Sequence, residues 1–136
     1  LLLKMSCKKC IINYDEDNNG DKFELFVKYN KKITKTIYEY DVLYKTEQYI
    51  NGIKNGKSLW YFSNYDRVRV MCFYLNAKPN GEELYYFNDG SVQNMNYYID
   101  GIKNGKFTTN HKDGDEYEGY YIDGDMIKYR HMPILQ

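Results

Sequence analysis

The sequence predicts an all-β fold, an antiparallel meander of repeated β-hairpins. Three observations carry this expectation. The first is an echo: Tyr49-Ile-Asn-Gly-Ile-Lys-Asn-Gly-Lys57 recurs as Tyr98-Ile-Asp-Gly-Ile-Lys-Asn-Gly-Lys106, with Asp100 in place of Asn51. Self-similarity at a fixed spacing marks an array of stacked supersecondary units. The second is punctuation. Asn-Gly and Asp-Gly pairs recur along the chain, and such pairs tolerate the positive φ that tight hairpin turns demand. The third is composition. Seventeen tyrosines and six phenylalanines against two prolines in 136 residues suit pleated, half-buried strands.

Laid out on its tyrosines, the chain gives units 49–73, 74–97 and 98–120 and a partial unit 121–130, with starts 25, 24 and 23 residues apart. The echo therefore spans two periods, and the unit between is disguised by Ala77 and Pro79. Each unit holds two turn signals. The first is Asn51-Gly52 to Asn55-Gly56, matched by Asp100-Gly101 to Asn104-Gly105. The second is Asn64 to Asp66, then Asn88-Asp89-Gly90, then Asp113-Gly114. Strand signals lie between. In "RVRVMCFYL", Val68, Val70, Cys72 and Tyr74 are expected on one face and Arg67, Arg69, Met71 and Phe73 on the other. The glycines at 52, 56, 81, 101, 105 and 124 (Gly52, Gly56, Gly81, Gly101, Gly105, Gly124) are expected to hold turns.

Residues 13–48 fit the period less well and are expected to form a degenerate N-terminal hairpin or cap. In "DKFELFVKY", Phe23, Leu25, Val27 and Tyr29 share one face, and "KKITKTIYEYD" follows after a turn near Asn30. The segment Asp41 to Gln48 has no place in this register. Residues 1–12 are expected to be a tail or first strand, with Met5 read as a start residue, and residues 131–136 a C-terminal tail or short covering helix.

Composition bounds the function. Nineteen basic and nineteen acidic residues balance, which argues against a nucleic-acid partner. No apolar run reaches the length of a membrane-spanning helix. Three cysteines make no disulfide framework, so an intracellular, cytoplasmic setting is expected.

The pattern Tyr49-x-Asn51-Gly52-x-Lys54-x-Gly56, followed by Trp60, Tyr61 and Phe62 and a second turn, resembles the MORN repeat. It looks most like the variant common in bacterial antitoxin-like proteins and in large DNA viruses of protists. The resemblance covers residues 49 to about 124 well and 13–48 poorly. It departs from the family at Ala77, where a Gly is expected, and at Asp66, where the second turn lacks its Gly. Looser hairpins are expected at both places. The resemblance implies a single-layer repeat sheet that serves as a scaffold, a protein-binding surface or a lipid-associated module, without catalysis of its own.

Chemistry-bearing motifs are few. Cys7-Lys-Lys-Cys10 has the C-x-x-C spacing of zinc and redox sites, yet further ligands are scattered, and free thiols are the favoured reading. Asp15 to Gly20 resembles half a calcium loop, but Phe26 stands where the bidentate Glu belongs, so an acidic turn is expected. His111 lies near Asp113, Asp115 and Glu116, where a solvated histidine is expected rather than a catalytic one. No catalytic residue, cofactor or metal site is expected.

The functional expectation is a non-enzymatic interaction module that docks an unidentified protein on an aromatic sheet face or a sheet edge. The partner-binding residues expected are Trp60, Tyr61, Phe62, Tyr85, Tyr86, Tyr97, Tyr98, Tyr120 and Tyr121, of which strand alternation allows only about half on one face. A homodimer through edge pairing is a further expectation. Two alternatives stand beside it. One is attachment to anionic membrane lipid through a row formed by Lys54, Lys57, Lys78, Lys103 and Lys106. The other is the role of an antitoxin-like immunity partner.

Overall fold

The computed structural model of the chain describes residues 12–16, 22–63 and 66–133. Every regular element in them is a strand: β1 (Ile12–Glu16), β2 (Lys22–Tyr29), β3 (Lys32–Glu39), β4 (Val42–Ile50), β5 (Ile53–Lys54), β6 (Gly56–Tyr61), β7 (Val68–Leu75), β8 (Lys78–Tyr86), β9 (Val92–Ile99), β10 (Ile102–Lys103), β11 (Gly105–Asn110), β12 (Glu116–Ile122) and β13 (Asp125–Met132). They form one open antiparallel sheet in the order β1-β2-β3-β4-β6-β7-β8-β9-β11-β12-β13, with β5 on β4 and β10 on β9. This is the predicted meander of hairpins.

One end of the sheet carries two-residue turns. In Asn51-Gly52 both residues have positive φ (51° and 77°), as in Asp100-Gly101 and Asp123-Gly124. This conformation matches the right-handed twist of the flanking strands. Asn76-Ala77 adopts the same geometry, with Ala77 at φ 65°. The turn expected to loosen there keeps its shape and bears strain instead, because a Cβ crowds the backbone in this region. The turns also link the units. The Ala77 N–H donates to the Lys54 carbonyl at 2.8 Å, Gly101 N–H to Pro79 at 2.8 Å and Gly124 N–H to Lys103 at 2.9 Å.

The echoed motif has a defined job. Ile50 pairs with Ile53 and Tyr49 with Lys54, so β5 is two residues long. The Asn55 N–H then donates to the Gln48 carbonyl at 2.9 Å, and β6 resumes the ladder on β4. Gly56 (φ 102°) makes this step, and a Cβ there would meet Gln48 Oε1 at 2.5 Å. β10, Asn104 and β11 repeat it, with Asn104 N–H donating to the Tyr97 carbonyl at 2.8 Å.

The opposite end carries the longer second turns. Phe62 N–H donates to the Arg67 carbonyl at 3.0 Å, Phe87 N–H to Ser91 at 2.9 Å and His111 N–H to Asp115 at 2.8 Å. In the N-terminal part this turn shrinks to Tyr40-Asp41, both at positive φ. The segment without a place in the sequence register is thereby placed: Val42–Ile50 is β4, paired with β3 except at a register shift that leaves out Tyr44. Residues 13–48 thus contribute most of β1, all of β2 and β3 and most of β4, all in the meander, beyond the single hairpin expected. At the other terminus, residues expected as a tail or covering helix extend β13 to Met132. Cys7, Cys10 and Asp17 to Gly20 lie outside the described residues.

Candidate functional site

Register sorts the side chains onto two faces. On the first, a central row runs Phe26, Lys35, Glu47 and then Ser58, Cys72, Glu83, Asn96, and ends in Phe107, Gly119, Tyr129. On the second, the matching row is Leu25, Thr36, Thr46, Leu59, Met71, Leu84, Met95, Thr108, Glu118 and Arg130. Burial is deepest on the first face: in its central row Ser58 and Cys72 are 0% and 2% exposed and Glu47 and Phe107 are also buried, and beside the row so is Ile37.

Charge on this first face is neutralised from within. The buried Glu47 carboxylate binds Lys45 Nζ at 2.8 Å and Lys54 Nζ at 2.9 Å, and accepts a hydrogen bond from Tyr49 Oη at 2.8 Å. Burial alone would raise its pKa, but the two lysines and the tyrosine outweigh that and bring it down from 4.5 to about 2. Tyr49, half-buried beside this carboxylate, is pushed up to about 12, first by burial and then by Glu47. Three strands further on, Glu83 Oε2 accepts from Asn96 Nδ2 at 3.1 Å and from Tyr98 Oη at 3.2 Å. Burial first, then the Glu83 charge, raises the Cys72 thiol, which keeps it protonated and a poor nucleophile. Burial, with Cys72 and Glu83 nearby, lifts Tyr74 to about 12.

The sequence-expected residues divide as alternation requires. Trp60, Tyr85, Tyr98 and Tyr121 fall on the first face and Tyr86, Tyr97 and Tyr120 on the second, while Tyr61, at the register shift after Trp60, lines the same cleft as Trp60 and Tyr85. Phe62 leaves β6 into the second turn. Trp60 is not bare: Lys45 Nζ lies 4.6 Å from its ring centroid and Lys54 Nζ 5.4 Å. Beside these rings a cleft of about 310 Å³ opens between Trp60, Tyr74, Tyr85 and Arg69. On the second face Tyr97 and Tyr120 are 42% and 41% exposed.

The five lysines do not form one row. Lys54 reaches over Tyr74, at 3.7 Å from the ring centroid, and Lys103 over Tyr121 at 5.2 Å. Each belongs to one unit and covers the first tyrosine of the next, so the repeated lysine is a joint between units. Lys57 lies over Phe73 on the second face, Lys106 binds Glu118 at 2.7 Å on that face, and Lys78 is exposed beside the Asn76-Ala77 turn.

Sequence reasoning missed Glu47, Glu83 and the ring cluster at the C-terminal end. Phe107 lies 5.0 Å from Tyr121 and 6.2 Å from Tyr129, and Tyr117 stacks on Tyr129 at 5.5 Å and on His131 at 4.7 Å. Gly119 permits this, since a Cβ there would sit 2.4 Å from the Phe107 ring. The available signal was phase: Glu47, Cys72, Asn96 and Gly119 occupy one repeat position, which becomes visible only once β4 is counted as part of a unit. His111 sits edge-on to Tyr117 at 5.4 Å. Among the described residues no three His, Cys, Asp or Glu side chains gather as metal ligands.

No protein-family model matches the chain, and no curated protein matches it.

Proposed function

We propose that this chain is a MORN-like repeat protein and works as a non-enzymatic docking module for a protein partner, received on an aromatic face of the sheet. The observation that carries this reading is the single layer. Among the described residues nothing packs against either face, and fifteen large apolar side chains stay exposed. A sheet uncovered on both sides leaves its aromatic positions within reach of a partner, and tyrosines there offer large contact area at low entropic cost. The internal pairing of Lys45, Lys54 and Glu47 supports recognition by shape and rings over recognition by free charge. The lipid alternative loses support for the same reason: two of its five lysines are held over rings of neighbouring units.

The test separates the faces. Tagged wild type, Trp60→Ala/Tyr85→Ala and Tyr97→Ala/Tyr120→Ala are used to capture proteins from the native host, with folding of each checked by circular dichroism. A partner held by wild type and lost by one folded double variant supports the reading and identifies the face. Equal capture by all three would overturn docking through these rings.

A further inference from the structure

We propose that the outer edge of β13 is a strand-addition site for an extended segment of a partner protein in which acidic and aromatic residues alternate. This rests on the docking reading and names the chemistry of one partner segment. Among the described residues β13 is the last strand in the sheet order and pairs only with β12. All eight of its residues are exposed, and Met126, Ile127 and Tyr129 are each more than half exposed. A row of unpaired backbone donors and acceptors of this length is a template for another strand.

The inner edge of β13 states what the outer edge suits. There β12 presents Glu116-Tyr117-Glu118. Glu118 lies opposite Arg130 and forms an ion pair with it, while Tyr117 lies opposite His131 and stacks on both His131 and Tyr129. One side of β13 therefore takes carboxylates and the other takes rings. Its cations are not satisfied by β12. Arg130 shares Glu118 with Lys106, and Lys128 stands opposite Tyr120 and makes no ion pair among the described residues. A second strand with acids facing Lys128 and Arg130, and an aromatic residue between them facing Tyr129, would continue both patterns. A second copy of β13 would not. Antiparallel self-pairing centred on Tyr129 brings Lys128 of one copy against Arg130 of the other, and like charges opposite one another are destabilising.

The probe is a fluorescein-labelled peptide copying residues 115–122, Asp-Glu-Tyr-Glu-Gly-Tyr-Tyr-Ile, titrated with the whole chain and followed by anisotropy. Saturable binding is expected, weakening as salt rises. Replacing the two glutamates of the peptide by lysine should lower affinity by about tenfold or more. N-methylation at alternate peptide bonds should abolish binding if a backbone ladder forms. Lys128→Glu, which breaks no ion pair, should reverse the preference between acidic and lysine peptides. Trp60→Ala/Tyr85→Ala should bind the peptide unchanged, which separates this site from the sheet face. Absence of binding, equal binding of both peptides, indifference to N-methylation, or protection of the β13 edge by dimerisation in sedimentation would each overturn the proposal. Capture of a partner by the aromatic face would survive any of these results.

Discussion

At the scale of single residues, two positions show how the repeat bends its own rules. Ala77 holds φ 65° where the equivalent Gly52, Gly101 and Gly124 hold 77°, 85° and 89°. An L-residue in that region costs roughly 1–2 kcal/mol, partly offset because alanine orders the unfolded chain. Ala77→Gly should therefore stabilise the protein by about 0.5–1 kcal/mol, read as a higher urea midpoint with an unchanged slope. A lower midpoint would mean the side chain makes compensating contacts. Glu47 shows the second departure, a charge in the deepest row of the sheet. Its carboxyl falls from 4.5 to about 2 on folding, so its contribution is complete above pH 4.5 and is lost as pH falls toward 2. Tyr49 and Tyr74 rise from 10.0 to about 12, so theirs is complete below pH 10 and is lost as pH rises through 12. Stability measured by denaturant across pH should form a plateau between these limits. Glu47→Gln should lower the plateau, because Lys45 and Lys54 then face each other beside Trp60 without a counter-charge, and should flatten the acid limb. An acid limb identical to wild type would assign the loss to other carboxylates.

At the scale of elements, the two ends of the sheet obey different constraints. The two-residue turns bond, at Ala77, Gly101 and Gly124, to the strand residues that follow the turn of the previous unit, so their length is fixed by their neighbours. The opposite turns close their own backbone bonds, with a side-chain link from Arg67 Nη1 to the Asn88 carbonyl at 2.6 Å, and vary from Tyr40-Asp41 to the spans Phe62 to Arg67 and His111 to Asp115. Two glycines inserted between Lys112 and Asp113 should cost no more than about 1 kcal/mol, because loop-closure entropy grows slowly with length. The same insertion between Asp100 and Gly101 should cost at least twice that, since it removes the Gly101 bond to Pro79 and the joint that follows. Equal costs by thermal denaturation would show that the inter-unit bonds contribute little. This contrast also marks what the sequence could disclose. The echoed Asn51-Gly52 and Asp100-Gly101 were legible because positive φ restricts residue choice severely. The Tyr40-Asp41 turn was not, because the required conformation is there forced on two residues that do not advertise it, and β4 was lost from the register with it. The aromatic positions of the candidate surface were legible, and their division between faces followed from alternation. The Lys54 and Lys103 joints were not, since a lysine beside a turn reads as solvated until the neighbouring unit is seen to place a tyrosine under it.

At the scale of the whole molecule, a sheet without a second layer has only nearest-neighbour support. Along the path each strand pairs with the next in order, with β5 and β10 as short offshoots of β4 and β9, and long-range closure is absent from the described order. Such an array behaves as a chain of units and interfaces, so opening can begin at either edge and move inward. β7 is the sixth of the eleven strands on the path and carries Cys72, which is 2% exposed, whereas β13 is exposed along its full length. Native-state hydrogen exchange should accordingly be slowest in β7 and its neighbours β6 and β8, and faster toward β2 and β13. The free energies of opening should fall from the global value to nearly zero at the edge. Within β12 the amides near Gly119 should resist exchange better than their place in the order dictates, because Phe107 and Tyr129 cover that glycine. A strand added at β13 would slow exchange in β12 and β13 and leave β6 to β8 unchanged. One exchange free energy shared by all strands would instead mean that the sheet opens as a single unit, and that the ion-paired and ring-capped row on its first face couples the repeats far beyond neighbouring pairs.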